Sequence, residues 1–240
     1  MTTGVIVISL GDRPWLPIVE HWLRRYCQRW GHDLLVIREP LLDDLRPDSF
    51  DRFQNYGRAQ KLGIGRFFEK YDRIIQMDDT CIVSPEAPDL AEEVPDEAVG
   101  CWIEGLYRDP RFSTYLNEHA VIYERAVPLG RERFYNSGVV VYSRRHAHLF
   151  DDAAIPWGKI RRDTMFPTQG YLSHESEVSN YPLFGLSPEF NLIGSEIARS
   201  GDIGRIVDKT YVFHLTSAVA RNRMWYATEI DRQLRERFGG

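Results

Sequence analysis

The chain is 240 residues long, 43% hydrophobic and 27% charged, with a formal net charge of −5. That length buries a sizeable core in one large or two small domains. The acidic balance excludes sequence-independent nucleic-acid binding, which rests on clustered Lys and Arg. Cys27, Cys81 and Cys101 form no CxxC pair. This excludes a disulfide framework and a thiolate zinc site, and it fits a reducing compartment.

Val5 to Leu10 predicts a buried strand, too short and too β-branched for a helix. The run lacks a basic flank and a cleavage site, so no signal peptide is expected. No stretch approaches the ~20 apolar residues of a membrane span. A cytoplasmic protein is expected, with at most a peripheral membrane contact. Asp12 is a candidate helix cap, and Pro14 suits a first turn. Ile18, Val19, Trp22, Leu23, Tyr26 and Trp30 recur at helical spacing before Gly31. Leu34 to Ile37 reads as a second strand. A strand–helix–strand unit predicts parallel pairing and an α/β fold.

Residues 39–53 read as a loop, followed by a helix from Tyr56 to Glu69. A strand from Arg73 to Met77 then ends in Asp78 and Asp79, with Thr80 before a second apolar run. Adjacent carboxylates at a buried strand tip suit a ligand, and hard oxygen donors suit Mg²⁺ or Mn²⁺. Asp-Asp is equally an ordinary turn dipeptide. In open α/β sheets ligands sit beyond the carboxyl ends of the strands, where this pair lies.

Residues 85–97 read as an acidic surface segment and Val99 to Ile103 as a strand. Residues 104–133 read as irregular, with Trp102, Tyr107, Phe112, Tyr115 and Tyr135 in or near them as candidate ligand-stacking rings or plain core. Asn136, Ser137 and Gly138 precede the apolar strand Val139 to Tyr142. Gly138 permits close backbone approach to a ligand. Residues 151–172 read mostly as loop, Glu175 to Asn180 as a short helix, Phe184 to Leu186 and Tyr211 to Phe213 as strands. A helix from Met224 to Phe238 presents Trp225, Ile230, Leu234 and Phe238 on one face.

Five segments in order resemble the GT-A nucleotide-sugar glycosyltransferases, closest to the family-8-like group that includes glycogenin and bacterial galactosyltransferases. They are Tyr56-Gly-Arg58-Ala-Gln-Lys61, Tyr71 to Thr80, Phe134-Tyr-Asn136-Ser137-Gly138, Glu175 to Asn180 with Phe190-Asn191, and Phe213-His214 with Arg223-Met-Trp225. The match runs from Val5 to about Trp225. It implies a single GT-A, Rossmann-like α/β domain with a mixed, mainly parallel sheet. Residues 1–103 would form the nucleotide-sugar half and 104–240 the acceptor half. The implied activity is hexose transfer from a nucleotide diphosphate sugar, UDP favoured, to a saccharide or glycoconjugate, with retention, as in polysaccharide biosynthesis.

The resemblance implies Mn²⁺ or Mg²⁺ held by Asp78, Asp79, Thr80 and His214. A gapless match puts Asp78 and Thr80 on the family's two carboxylates, and a shift of one puts Asp79 on the second. Arg58, Lys61, Asp78, Ser137, Gly138 and Arg223 would bind the donor, with Arg221 a rival for the C-terminal phosphate position. Asn136 and Glu175 would orient the reacting groups, with Glu177 a rival. Two other readings stay open: a nucleotidyltransferase, and a non-catalytic sugar-nucleotide binder with a degenerate metal motif.

Overall fold

In the computed structural model, residues 1–42, 45, 53–104, 112–151, 153–155, 157–160 and 166–239 are described. Five of the six residues of β1 (Thr3–Ile8) are buried, so the strand is covered on both faces. Helix α1 (Leu16–Trp30) returns the chain to β2 (Asp33–Ile37), which pairs with β1 in parallel, as the periodicity predicts. Gly31 ends α1 at φ 72°, a left-handed turn that glycine enters without strain. Asp12 does not cap this helix. Trp15 takes the cap position without a side-chain bond, and Pro17 opens the first turn. Arg13 and Trp15, on either side of Pro14, instead bond to Asp79 beside the tip of β3.

The rest of the main sheet comprises β3 (Arg73–Asp78), β5 (Val99–Ile103), β6 (Tyr135–Ser143) and β7 (Leu183–Gly185). Its order is β2-β1-β3-β6-β5-β7. β6 runs antiparallel to both of its neighbours, and the other pairings are parallel, so the sheet is mixed and mainly parallel. A smaller sheet joins β4 (Cys81–Val83), β9 (Val212–His214) and β8 (Leu192–Ile193), in the order β4-β9-β8.

One sheet face packs Val5, Val7, Ile75 and Val139 against α1 and the C-terminal helix, and the other packs Ile6, Ile74, Val140 and Tyr142 against Leu62, Ile64 and Phe68. Leu62, Ile64 and Phe68 lie on a 3₁₀ segment, Gln60–Glu69, that continues from α2 (Phe53–Ala59). The expected helix is therefore present but changes type. Gly63 and Gly65 let it press on Leu41 and Phe150, where an added Cβ would stand 2.6 and 2.5 Å from those side chains.

Three stretches depart from the sequence expectation. The supposed surface segment 85–97 contains a turn of helix, Leu90–Glu93, whose Leu90 is fully buried. The supposedly irregular 104–133 contains α3 (Phe112–Tyr123). The short helix expected over Glu175 to Asn180 is instead the last part of α4 (Pro167–Val178), which begins inside the supposed loop. The C-terminal helix α5 (Arg223–Phe238) buries Ala227, Ile230 and Leu234, while Trp225 is 61% exposed and lies off the buried face. All three cysteines are free and buried. Among the described residues no helix is long and apolar enough to cross a membrane.

Candidate active site

The parallel strands β1 and β3 end on the same side of the sheet, and a cavity of about 700 Å³ opens there. Ile8, Asp78, Asp79 and Thr80 bring the strand ends to it, α2 and the 3₁₀ segment bring Arg58 and Lys61, and β9 brings His214. β6 contributes Asn136, Ser137 and Gly138. They reach the cavity because the ladder with β5 slips: Cys101 pairs with Val140 but the next residue, Trp102, pairs with Asn136. Such bulges re-aim side chains next to sites.

Asp78 is the hub. Its Oδ1 lies 2.5 Å from Lys61 Nζ and its Oδ2 lies 3.3 Å from His214 Nε2. Burial alone would push its carboxyl up, but Lys61 and His214 together outweigh it and hold Asp78 well below the usual carboxylate range. Lys61 is itself buried and donates to the Ser137 carbonyl at 2.8 Å and to Ser137 Oγ at 3.3 Å. His214 Nδ1 bonds Asn191 Oδ1 at 2.9 Å, Asn191 Nδ2 donates to Asn136 Oδ1 at 3.1 Å, and Asn136 Nδ2 donates to Glu104 Oε1 at 2.8 Å. The chain of contacts runs unbroken from Glu104 to Lys61.

Asp79 faces elsewhere. Its Oδ2 accepts from Ser9 Oγ and Arg13 Nε, both at 3.0 Å, and its backbone carbonyl accepts from Trp15 Nε1 at 2.9 Å. Burial and the neighbouring Asp78 charge push its carboxyl up, against Arg13 and Ser9. Arg223 Nε donates to the Leu215 carbonyl at 2.9 Å, and its guanidinium lies 4.6 Å from the Trp15 ring centroid, with that of Arg13 at 5.8 Å.

The implied divalent ion is tested by these donors. Asp78 Oδ2 and His214 Nε2 do face each other. Asp79 is turned to Arg13, Thr80 offers only a neutral hydroxyl, and the other oxygen of Asp78 already carries an ammonium group. Among the described residues no three His, Cys, Asp or Glu side chains gather into a cation site. The residues present do not fit the four-ligand set that the resemblance implies.

Glu175 does not line the cavity. Both its oxygens accept from Arg125 Nη1, at 2.9 and 2.8 Å, and its Oε1 lies 3.0 Å from His174 Nδ1. Glu177 is fully buried and clamped by Arg131 and Arg133. Gly138 lines the cavity and makes room for the His214 ring, since an added Cβ would stand 2.0 Å from His214 Cε1. Arg221 is exposed and off the cavity, whereas Arg223 lines it. Of the candidate stacking rings, Phe112 and Tyr115 line the cavity, Trp102 and Tyr135 are buried core, and Tyr107 lies outside the described residues.

Several lining groups escaped the sequence reading: Arg13, Gln76, Glu104, Phe166, Thr168 and Gln169. The signal for Thr168 and Gln169 is Pro167, which suits the first turn of a helix and so marks the true start of α4. Gln76 Oε1, Thr168 Oγ1 and Gln169 Nε2 are buried with no hydrogen-bond partner among the described residues. Buried polar atoms of this kind are costly unless a ligand or water satisfies them. They sit beside the hub, for Gln76 Nε2 lies 3.5 Å from Asp78 Oδ1 and Gln169 Oε1 accepts from the Ser137 amide at 3.4 Å.

No protein-family model matches the sequence, and no curated protein matches it. Solved structures do match. The galactosyltransferase LgtC, solved with donor and acceptor sugar analogues, superposes with a TM-score of 0.61 at 13% identity, over 96% of this chain and 95% of that one. A glycosyltransferase involved in glycosylation of the major capsid of PBCV-1 matches with a TM-score of 0.56 at 12% identity, over 95% of this chain and all of that one, 100%. Mouse xyloside xylosyltransferase 1 matches with a TM-score of 0.51 at 13% identity, over 90% of this chain and 98% of that one. The fold is that of the GT-A glycosyltransferases.

Proposed function

We propose that the protein is a glycosyltransferase that moves a hexose from a nucleotide diphosphate sugar to a saccharide or glycoconjugate acceptor. One observation carries the reading: two complementary sets of unsatisfied groups share one cavity at the strand ends of a GT-A fold. Orphaned polar atoms on Gln76, Thr168 and Gln169 suit sugar hydroxyls, and the guanidiniums of Arg13 and Arg223 suit a diphosphate. A UDP-hexose is the favoured donor, from the resemblance of the sequence motifs.

In this reading Asn136 and Glu104, bonded to each other, orient the sugar. Lys61 holds Asp78 ionised against the sugar–phosphate end. Phe112, Tyr115 and Phe166, whose ring centroids lie 5.5 to 6.1 Å apart, give the acceptor a flat apolar wall. The bond from the anomeric carbon to the phosphate oxygen breaks as the acceptor oxygen bonds to the same face. The acceptor proton passes to the departing diphosphate, giving retention. Glu175, held by Arg125 and His174, takes no part. No step is routed through a divalent cation, because the donors above do not gather into a set. The free, buried cysteines support a reducing, cytoplasmic setting.

The test is a screen of UDP-, GDP- and ADP-sugars for slow donor hydrolysis and for transfer to simple saccharides, each with and without Mn²⁺. Turnover of at least one hexose donor, with α- or β-configuration kept from donor to product, is expected. No turnover and no binding of any sugar nucleotide under either condition overturns the reading.

A further inference from the structure

Resting on the sugar-nucleotide reading, we infer that the donor diphosphate is held by a pair of arginines, Arg13 and Arg223, assembled on Trp15 and tethered by Asp79, and that its binding needs no divalent cation. In this assignment Asp79 is a positioning residue for Arg13 and not a metal ligand.

The assembly is built from both ends of the chain. Trp15 is fixed by its Nε1 bond to the Asp79 carbonyl, so the indole lies against the tip of β3. Arg13 and Arg223 both reach this ring, with guanidinium carbons 5.8 and 4.6 Å from its centroid. Each arginine uses its Nε on the protein, Arg13 on Asp79 and Arg223 on the Leu215 carbonyl. Among the described residues the terminal nitrogens of both have no other partner. Those nitrogens form the planar fork that pairs with phosphate oxygens two at a time.

The charge balance points the same way. Two guanidiniums share one carboxylate, Asp79, in the wall of a cavity. Asp78 does little to relieve the excess, because its two oxygens already face Lys61 and His214. Burial weighs most on the charged form of Arg223 and the nearby Arg13 charge adds to it, while Asp79 and, less, Asp78 offset part of that. Like charges brought together out of bulk water call for an anion between them. The diphosphate supplies it, and the two guanidiniums neutralise its charge in turn. Asp79 Oδ2 is already bonded by Ser9 and Arg13, which assigns that oxygen to the tether.

The experiment is calorimetric titration of UDP, GDP and ADP into EDTA-treated protein, repeated with Mn²⁺ added. At least one nucleotide is expected to bind without metal, with Kd changed by no more than about twofold on adding Mn²⁺. Arg13→Gln and Arg223→Gln should each weaken it about tenfold, the worth of one charge-assisted contact. Asp79→Ala should weaken binding by a similar factor in the native background but not further in the Arg13→Gln background, because a tether has no effect once its arginine is gone. Additive losses overturn the tether. Binding that requires Mn²⁺, or that strengthens tenfold or more with it, overturns this inference and leaves the glycosyltransferase reading standing. Absence of binding under both conditions overturns the two together.

Discussion

His119 and His146 each carry an imidazole that is buried among rings. His119 stacks on Phe134 and Tyr123, and its Nδ1 has no partner among the described residues. His146 accepts from the Ser143 amide through Nδ1 and sits edge-on to Tyr181. Burial pushes both down to about 4. The unfolded chain titrates near 6.5. Between those limits the unfolded state binds protons that the folded state refuses, so stability is fully present above the unfolded value and is lost as pH falls towards 4. Each histidine contributes a slope of up to about 1.4 kcal/mol per pH unit inside that window. Urea midpoints measured from neutral pH downward should therefore fall well before the carboxylates titrate. His119→Leu should remove about half of that slope. An unchanged slope in the variant would show that His119 is not held neutral.

At the scale of the element, the bulge in β6 decides where His214 sits. Gly138 is the position the ring leans on, with the would-be Cβ 2.4 Å from Nδ1. Gly138→Ala must displace the imidazole from Asn191 and Asp78. A stability loss of about 1–3 kcal/mol is expected, the usual cost of forcing atoms into a packed site. Donor turnover should fall by more than tenfold while far-UV circular dichroism stays native, and full activity would detach His214 from the site. This element also shows what the sequence made legible. The sequence places β5 to its residue and puts the acidic tip of β3 at what proves to be the cavity, because buried strands advertise themselves as unbroken apolar runs. α3 was hidden because its inward face is built from Phe112, Tyr115, Leu116, His119 and Tyr123, among Ser, Thr, Asn and Glu that read as loop. Glu175, which the resemblance implies at the site, lies off the cavity for a geometric reason. It lies two turns beyond the start of α4, about 12 Å along the axis at 1.5 Å per residue, so the helix that delivers Gln169 to the cavity carries Glu175 away from it. Arg13 was passed over because a short loop after a strand carries no periodicity, and only the folded chain brings it to Asp79.

Across the whole molecule, the two ends of the chain close one core. α5 lies on α1, with Ala227, Ile230 and Leu234 buried and Asp231 accepting from Trp22 Nε1 at 2.8 Å. Leu234→Ala should cost about 2–4 kcal/mol as a cavity in that layer. That is a large part of a domain's usual margin of ~5–15 kcal/mol, and a lowered urea midpoint with unchanged m-value would register it. A shift below about 0.5 kcal/mol would show that the helix is not part of the cooperative core. The antiparallel β6, set between β3 and β5, has a consequence for how the protein is made. β3 leaves the ribosome with one edge of its backbone unpaired and waits for residues 135–143 to fill it. At ~5–20 residues per second that wait lasts several seconds, during which a row of Ile74, Ile75 and Met77 stands open to wrong partners. Ribosome-stalled chains ending before residue 135 should be digested rapidly by protease, and cleavage within β3 should slow once chains extend past β6 with enough length to clear the tunnel. The strand that fills the centre of the sheet thus also sets how long that apolar edge stays open.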